Sequence, residues 1–196
     1  MAVALLKDPP LAPSEGLGPY RRRDYEALPA EPRCELIFGR FYLSPSPTVL
    51  HQIVVSLLWL RLHHCAVEAG GLALFAPLDL GLADHSVVQP DNLYFSAERR
   101  RVVGQQVEGA PDLVAEVLSP GTVRRDRGEK LSLYAQTGIR EYWIVDPAER
   151  QIEFLVLRDG RYTVALPAGN VYRSETLPEI RLDLVAFWRD VEERLV

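Results

Sequence analysis

The sequence predicts an α/β fold of mixed α+β character with a central sheet, and three observations carry that expectation. Over residues 50–67 the apolar positions Ile53, Val54, Leu57, Leu58, Leu60, Leu62 and Ala66 recur near helical spacing, and Gly70-Gly71 supplies the stop. Strand-like runs follow: LALFAPLDLGL, VVQPDNLYF, PDLVAEVLS, EYWIVD, QIEFLVL and RYTVAL. A closing segment, LVAFWRDVEERLV, carries Leu184, Phe187, Trp188, Val191 and Leu195 on one helical face. With no internal repeat, these helices and strands are expected to share one layered core.

In chain order, residues 1–19 hold prolines at 9, 10, 13 and 19 without helical or strand periodicity, and read as a flexible arm. A single domain is expected over residues 20–196. Residues 24–28 suit a short helix, and CELIFGRFYLS reads as two strands pivoting at Gly39. After the long helix and the next three strand-like runs, of which the last two are separated by the charged loop SAERRRVVGQQVEGA, Ser119-Pro120-Gly121 breaks the chain. Thr122 is placed to cap a helix with Asp126 in its early turns, Leu131, Tyr134 and Ala135 on its inner face, and Gly138 at its end. The later strands turn at Pro147 and at Asp159-Gly160.

A chain of 196 residues with 47% apolar content can bury one substantial core. It has no uninterrupted run of eighteen apolar residues, and its N-terminal apolar stretch is too short for a secretory signal. A cytoplasmic protein without a membrane partner is expected. Cys34 and Cys65 stand in unrelated contexts and read as packed free thiols. The formal charge of −5, from 27 acidic and 22 basic residues, does not favour nonspecific attraction to phosphate. Arginines cluster at 21–23, at 99–101 and at Arg124, Arg125 and Arg127, and each cluster reads as a solvated face.

The chemistry concentrates on Asp91, Glu116 and Lys130. Phosphodiester hydrolysis needs a hard cation to neutralise developing charge and activate water, and magnesium prefers one or two carboxylates with waters and substrate oxygens. Glu116 interrupts the apolar run LVAEVL, where a carboxylate is costly unless paired, hydrogen-bonded or metal-bound. Asp91, next to Pro90, suits a turn cap as well as a metal. Lys130 borders the Leu131, Tyr134 face and is within reach of the preceding strand end, where it could orient water or stabilise transition-state charge. Taken alone it reads as a solvated helix lysine.

The ordered runs ELIFGRF, SPSPTVLHQIVVSLL, VVQPDNLYF and EGAPDLVAEVLSPGTVRRDRGEKLSLYAQTGIREYWIVDP resemble the Uma-type restriction-endonuclease family of the PD-(D/E)XK nuclease superfamily. The resemblance runs from about Tyr20 to the final helix. It implies a restriction-endonuclease-like mixed sheet flanked by helices, DNA as substrate, Mg2+ or Mn2+ as cofactor, Asp91 and Glu116 as metal ligands, and a homodimer that pairs two sites. The superfamily's usual lysine lies two residues after the second acid, where this chain has Leu118; the family's helix-borne lysine matches Lys130. Glu35 matches an additional acid of the first strand, although Cys34, Phe38 and Arg40 around it depart from the family's run. His51 and Gln52 match a histidine-glutamine pair near the active-site opening.

Other polar and aromatic candidates have plainer readings. His63 and His64 are adjacent on a helix and point to different faces, which argues against joint metal binding. Asp79 reads as solvent-exposed, Asp112 as a structural hydrogen-bonding residue, and Tyr134, Tyr142 and Trp143 as core. Two other functions compete: a noncatalytic nucleic-acid or protein-binding module on the same fold, and metal-free acid/base hydrolysis by two carboxylates, as of a glycoside.

Overall fold

The computed structural model describes residues 16–195. A short helix α1 (Arg22–Glu26) precedes a hairpin, β1 (Cys34–Ile37) and β2 (Arg40–Leu43), which turns through Phe38 and Gly39, both at positive φ. Helix α2 (Val49–Ala69) is capped by Thr48 and stopped by Gly70 at φ 71°. Strands β3 (Leu72–Phe75), β4 (Leu80–Ala83), β5 (Ser86–Val88), β6 (Asn92–Phe95), β7 (Val107–Glu108) and β8 (Leu113–Val117) follow, with a 3-10 turn over Arg99–Val102. Helix α3 (Val123–Arg125) passes through a π-helical turn, Asp126–Lys130, into α4 (Leu131–Gln136). The chain closes with β9 (Glu141–Asp146), β10 (Gln151–Arg158), β11 (Arg161–Ala165), β12 (Val171–Arg173), β13 (Arg181–Asp183) and α5 (Leu184–Glu192).

A six-stranded mixed sheet in the order β11-β10-β9-β8-β6-β3 forms the centre, with β8 and β9 parallel and the remaining pairs antiparallel. One face packs on α2 and α5 through Val54, Leu58, Leu62, Ala115, Trp143 and Phe187. The other packs Leu93, Val114, Tyr142 and Ile144 against α4 and a second sheet, β2-β1-β5-β4-β7. A sheet buried on both faces explains why LVAEV is apolar along its whole length except at Glu116.

Two of the strand-like runs are in fact divided. LALFAPLDLGL gives β3 to the central sheet and β4 to the second sheet, and VVQPDNLYF gives β5 to the second and β6 to the central one. Pro77 and Pro90 lie at the divisions, and proline lacks the amide that would continue a ladder. Gln89 and Asp91 therefore stand where the two sheets part. Thr122 does not cap α3: its side chain makes no cap bond, and its hydroxyl instead receives the Ser119 amide at 3.2 Å. The hairpin β12–β13 escapes sequence periodicity because each strand has three residues.

Of the N-terminal arm, residues 1–15 lie outside the described residues, as does Val196 of the closing segment. Residues 16–19 are tied to the first hairpin, with Gly18 N donating to Phe38 O at 2.7 Å. Gly18 and Gly39 cross so closely that a Cβ on either would collide with the other's backbone. Among the described residues no helix is long and apolar enough to cross a membrane.

Candidate active site

The four residues singled out from the sequence, Glu35, Asp91, Glu116 and Lys130, line one cleft of about 330 Å³. Glu35 comes from β1, Asp91 from the residue before β6, Glu116 from β8 and Lys130 from the end of the π turn. Continuing the β6–β8 register by one residue past Asn92↔Ala115 sets Asp91 opposite Glu116. Leu118 is a core residue 8% exposed, so the position two after Glu116 holds no charge for the cleft.

Lys130 is buried, not solvated. Its Nζ lies 2.8 Å from Glu116 Oε1, 2.9 Å from Glu35 Oε1 and 3.7 Å from Asp126 Oδ1. Tyr134 OH donates to the same Glu116 oxygen at 2.6 Å. Glu35 Oε1 also receives the Gln89 amide at 2.8 Å, and its Oε2 faces Arg125 Nε at 3.5 Å. Arg125 stacks over the Tyr42 ring and donates to Leu43 O. Asp91 Oδ2 accepts from Val117 N at 2.8 Å and lies 3.3 Å from His51 Nε2.

Three carboxylates thus surround Lys130, one of them also faces Arg125, and Asp91 lines the same cleft. Burial pushes the Glu116 carboxyl up to about 8; Lys130 opposes the shift, and the charges of Asp126, Asp91 and Glu35 add to it. Burial likewise raises Asp126. For Lys130 burial works the other way, yet Glu116, Glu35 and Asp126 outweigh it and hold the amine above its ordinary range. His51 is raised in spite of its burial, because Asp91 favours the charged ring.

Among the described residues no group of three or more His, Cys, Asp and Glu side chains forms a metal cage. The donors do fit a hard cation that keeps most of its waters. Asp91 and Glu116 spend Oδ2 and Oε1 on protein donors, while Asp91 Oδ1 and Glu116 Oε2 take up no hydrogen bond among the described residues.

Asp126, Arg125 and Gln89 join this cleft without having been singled out. Asp126, Lys130 and Tyr134 are four residues apart, a polar stripe that could have been read from the sequence; Asp126 Oδ1 is buried without a hydrogen bond among the described residues. The π turn that holds Asp126 and Lys130 leaves no comparable pattern, although such turns favour functional sites. Arg125 pairs with a buried acid instead of forming a solvated face.

The remaining candidates lie elsewhere or do other work. Asp112 is buried, accepts from Ser96 N at 2.7 Å and pairs with Arg99 and Arg140. Asp79 is exposed and accepts from Tyr25 OH. His63 stacks on Trp59, and His64 pairs with Glu68 on the surface. Tyr134, Tyr142 and Trp143 are fully buried, and Cys34 and Cys65 are free thiols.

No curated protein sequence matches this chain. A solved structure, a "putative nuclease belonging to DUF820" from Anabaena variabilis ATCC 29413, superposes with a TM-score of 0.73 at 20% identity, covering 88% of this chain and 99% of that one. It has the same fold. Residues 22–185 match the family Uma2, described as "Putative restriction endonuclease". With that match spanning most of the sequence and the fold in agreement, the chain belongs to the Uma2 family.

Proposed function

We propose that the cleft hydrolyses phosphodiester bonds of DNA with a divalent cation, Mg2+ or Mn2+, held by Asp91 and Glu116. One observation carries this reading: a buried lysine sits between Glu35 and Glu116 in a cleft that Asp91 also lines, while Asp91 and Glu116 each keep one carboxylate oxygen free of donors among the described residues. When bound, the cation supplies charge neutralisation and a lower pKa for water.

The chain's own groups supply the rest. Lys130, held charged by its acidic neighbours, offers an ammonium for the negative charge that develops on phosphorus oxygens and for orienting the attacking water. Glu35 and Asp126 fix the lysine between them, and Tyr134 OH holds Glu116 Oε1. The lysine thus reaches the acids from the helix after β8, taking over the charge that Leu118 does not provide. A homodimer with two clefts would suit cleavage of both strands.

The test is incubation of the full chain with plasmid, linear duplex and single-stranded DNA in Mg2+, in Mn2+ and with a chelator, with Asp91→Ala as control. Cleavage that needs the cation and is lost in Asp91→Ala is the expected result. Binding without cleavage in any metal would instead favour the noncatalytic module on the same fold, and chelator-resistant hydrolysis of a glycoside would favour the metal-free reading.

A further inference from the structure

Thr48 closes the N-terminus of α2 by accepting from the His51 amide at 3.2 Å, which fixes the first turn of the helix beside the cleft. His51 is thereby delivered to the cleft wall with its side chain 13% exposed and its Nε2 3.3 Å from Asp91 Oδ2. The backbone amide of Val117 reaches the same oxygen at 2.8 Å. The Val117 amide bond limits rotation of the carboxylate, the His51 ring lies within ion-pair distance of the same oxygen, and among the described residues the oxygen left for an outside ligand is Oδ1.

Packing does not explain the ring. The apolar face of α2 is built by Val54, Val55, Leu58 and Leu62, and His51 Nδ1 is buried without a hydrogen-bond partner among the described residues. An unsatisfied nitrogen is costly, and the contact of Nε2 with Asp91 is one that offsets it. Nε2 faces a carboxylate, so it carries a proton whether the ring is neutral or charged.

We infer that His51 is a positioning residue: its Nε2–H holds Asp91 Oδ2 so that Oδ1 is presented to a divalent cation in the cleft. The inference rests on the reading of Asp91 as a metal ligand. Groups that orient a ligating carboxylate from outside the coordination shell typically change metal affinity about 10- to 100-fold when removed. A glutamine can place its amide donor near the position of Nε2, whereas a phenylalanine keeps the ring volume and loses the donor.

The experiment titrates Mn2+ into the full chain and follows free Mn2+ by its electron paramagnetic resonance signal, with no DNA present. Wild type is compared with Asp91→Asn, His51→Phe and His51→Gln, each checked for unchanged far-UV circular dichroism. The expected result is loss of binding in Asp91→Asn, affinity weakened about 10- to 100-fold in His51→Phe, and recovery of most of that loss in His51→Gln. If Asp91→Asn loses Mn2+ while His51→Phe binds like wild type, the role of His51 is overturned and the metal site stands. If His51→Gln is as weak as His51→Phe, the donor role is likewise overturned. If wild type binds no Mn2+, or Asp91→Asn binds it unchanged, the metal site and the role of His51 both fall.

Discussion

Glu116 and Glu141 lie on the adjacent parallel strands β8 and β9, both buried, and on opposite faces of the central sheet. Glu141 is saturated by neutral donors. Trp143 Nε1 reaches its Oε2 at 2.9 Å and Tyr172 OH at 3.0 Å, while Thr176 Oγ1 at 2.9 Å, Thr176 N at 3.3 Å and Ser174 Oγ reach Oε1. Glu116 has an amine and a phenol on one oxygen, three further carboxylates nearby, and a second oxygen without a donor among the described residues. Both carboxylates escape the cost of burial, by different means. Glu141 ties the segment from Tyr172 to Thr176 to the central sheet, a structural task. Glu116 is left with capacity for a ligand, and that unfilled capacity, not burial, distinguishes a candidate site from a structural anchor.

The largest effect expected on function comes from the lysine that Glu116 holds. Lys130→Ala should lower DNA cleavage about 10²-fold or more per folded molecule, the magnitude of losing one charge-stabilising or proton-handling group. Initial rates in Mg2+, corrected for the folded fraction by circular dichroism, measure it; a folded variant cutting at the wild-type rate would reject the role. Glu141→Ala should do the reverse. Each buried donor it orphans costs about 1–3 kcal/mol, so a stability loss of about 3 kcal/mol or more is expected by urea unfolding, with cleavage per folded molecule near wild type. A catalytic defect larger than the folding defect would dissolve the contrast between the two glutamates.

The pH dependence sharpens the comparison at smaller scale. The folded-state pKa of Glu116 is raised to about 8, so its contribution to stability is fully present below the unfolded value near 4.5 and is lost as pH rises through about 8. In chelator, the stability of wild type relative to Glu116→Gln should therefore fall between about pH 5 and pH 9, by an amount on the order of a few kcal/mol. Parallel urea melts at the two pH values read it, and an unchanged difference would mean that Glu116 is not forced toward its neutral form. The smallest effect is expected at Arg127, which pairs with Glu153 on the outside of the same π turn that buries Lys130. Arg127→Ala should change stability by about 1 kcal/mol or less and leave cleavage intact, as exposed pairs do.

Much of this was legible in the residues. Glu116 stands out because a carboxylate within LVAEVL is expensive wherever that strand is buried, and the long helix is evident from its apolar spacing. Glu141 gave no such signal: it opens its run, and the residues that satisfy it lie at positions 172–176, far along the chain. Lys130 by itself looked like any helix lysine, and only the resemblance to a family with a helix-borne lysine drew it to the acids.

Local physics therefore determined the helices, most strands, the turns at Gly39 and at Asp159-Gly160, and the identity of the costly carboxylate, because spacing, backbone freedom and desolvation act over a few residues. Tertiary structure alone decided that the runs through Pro77 and Pro90 would divide between two sheets, that Arg125 and Gln89 would join the cleft, and that Lys130 would be buried and not solvated. Those outcomes depend on which strand of a sheet lies beside which, and on a lysine finding its carboxylates 14 and 95 residues away in the chain. The pairing of Lys130 with Glu35 and Glu116 is set by distance in space, which no local pattern of residues encodes.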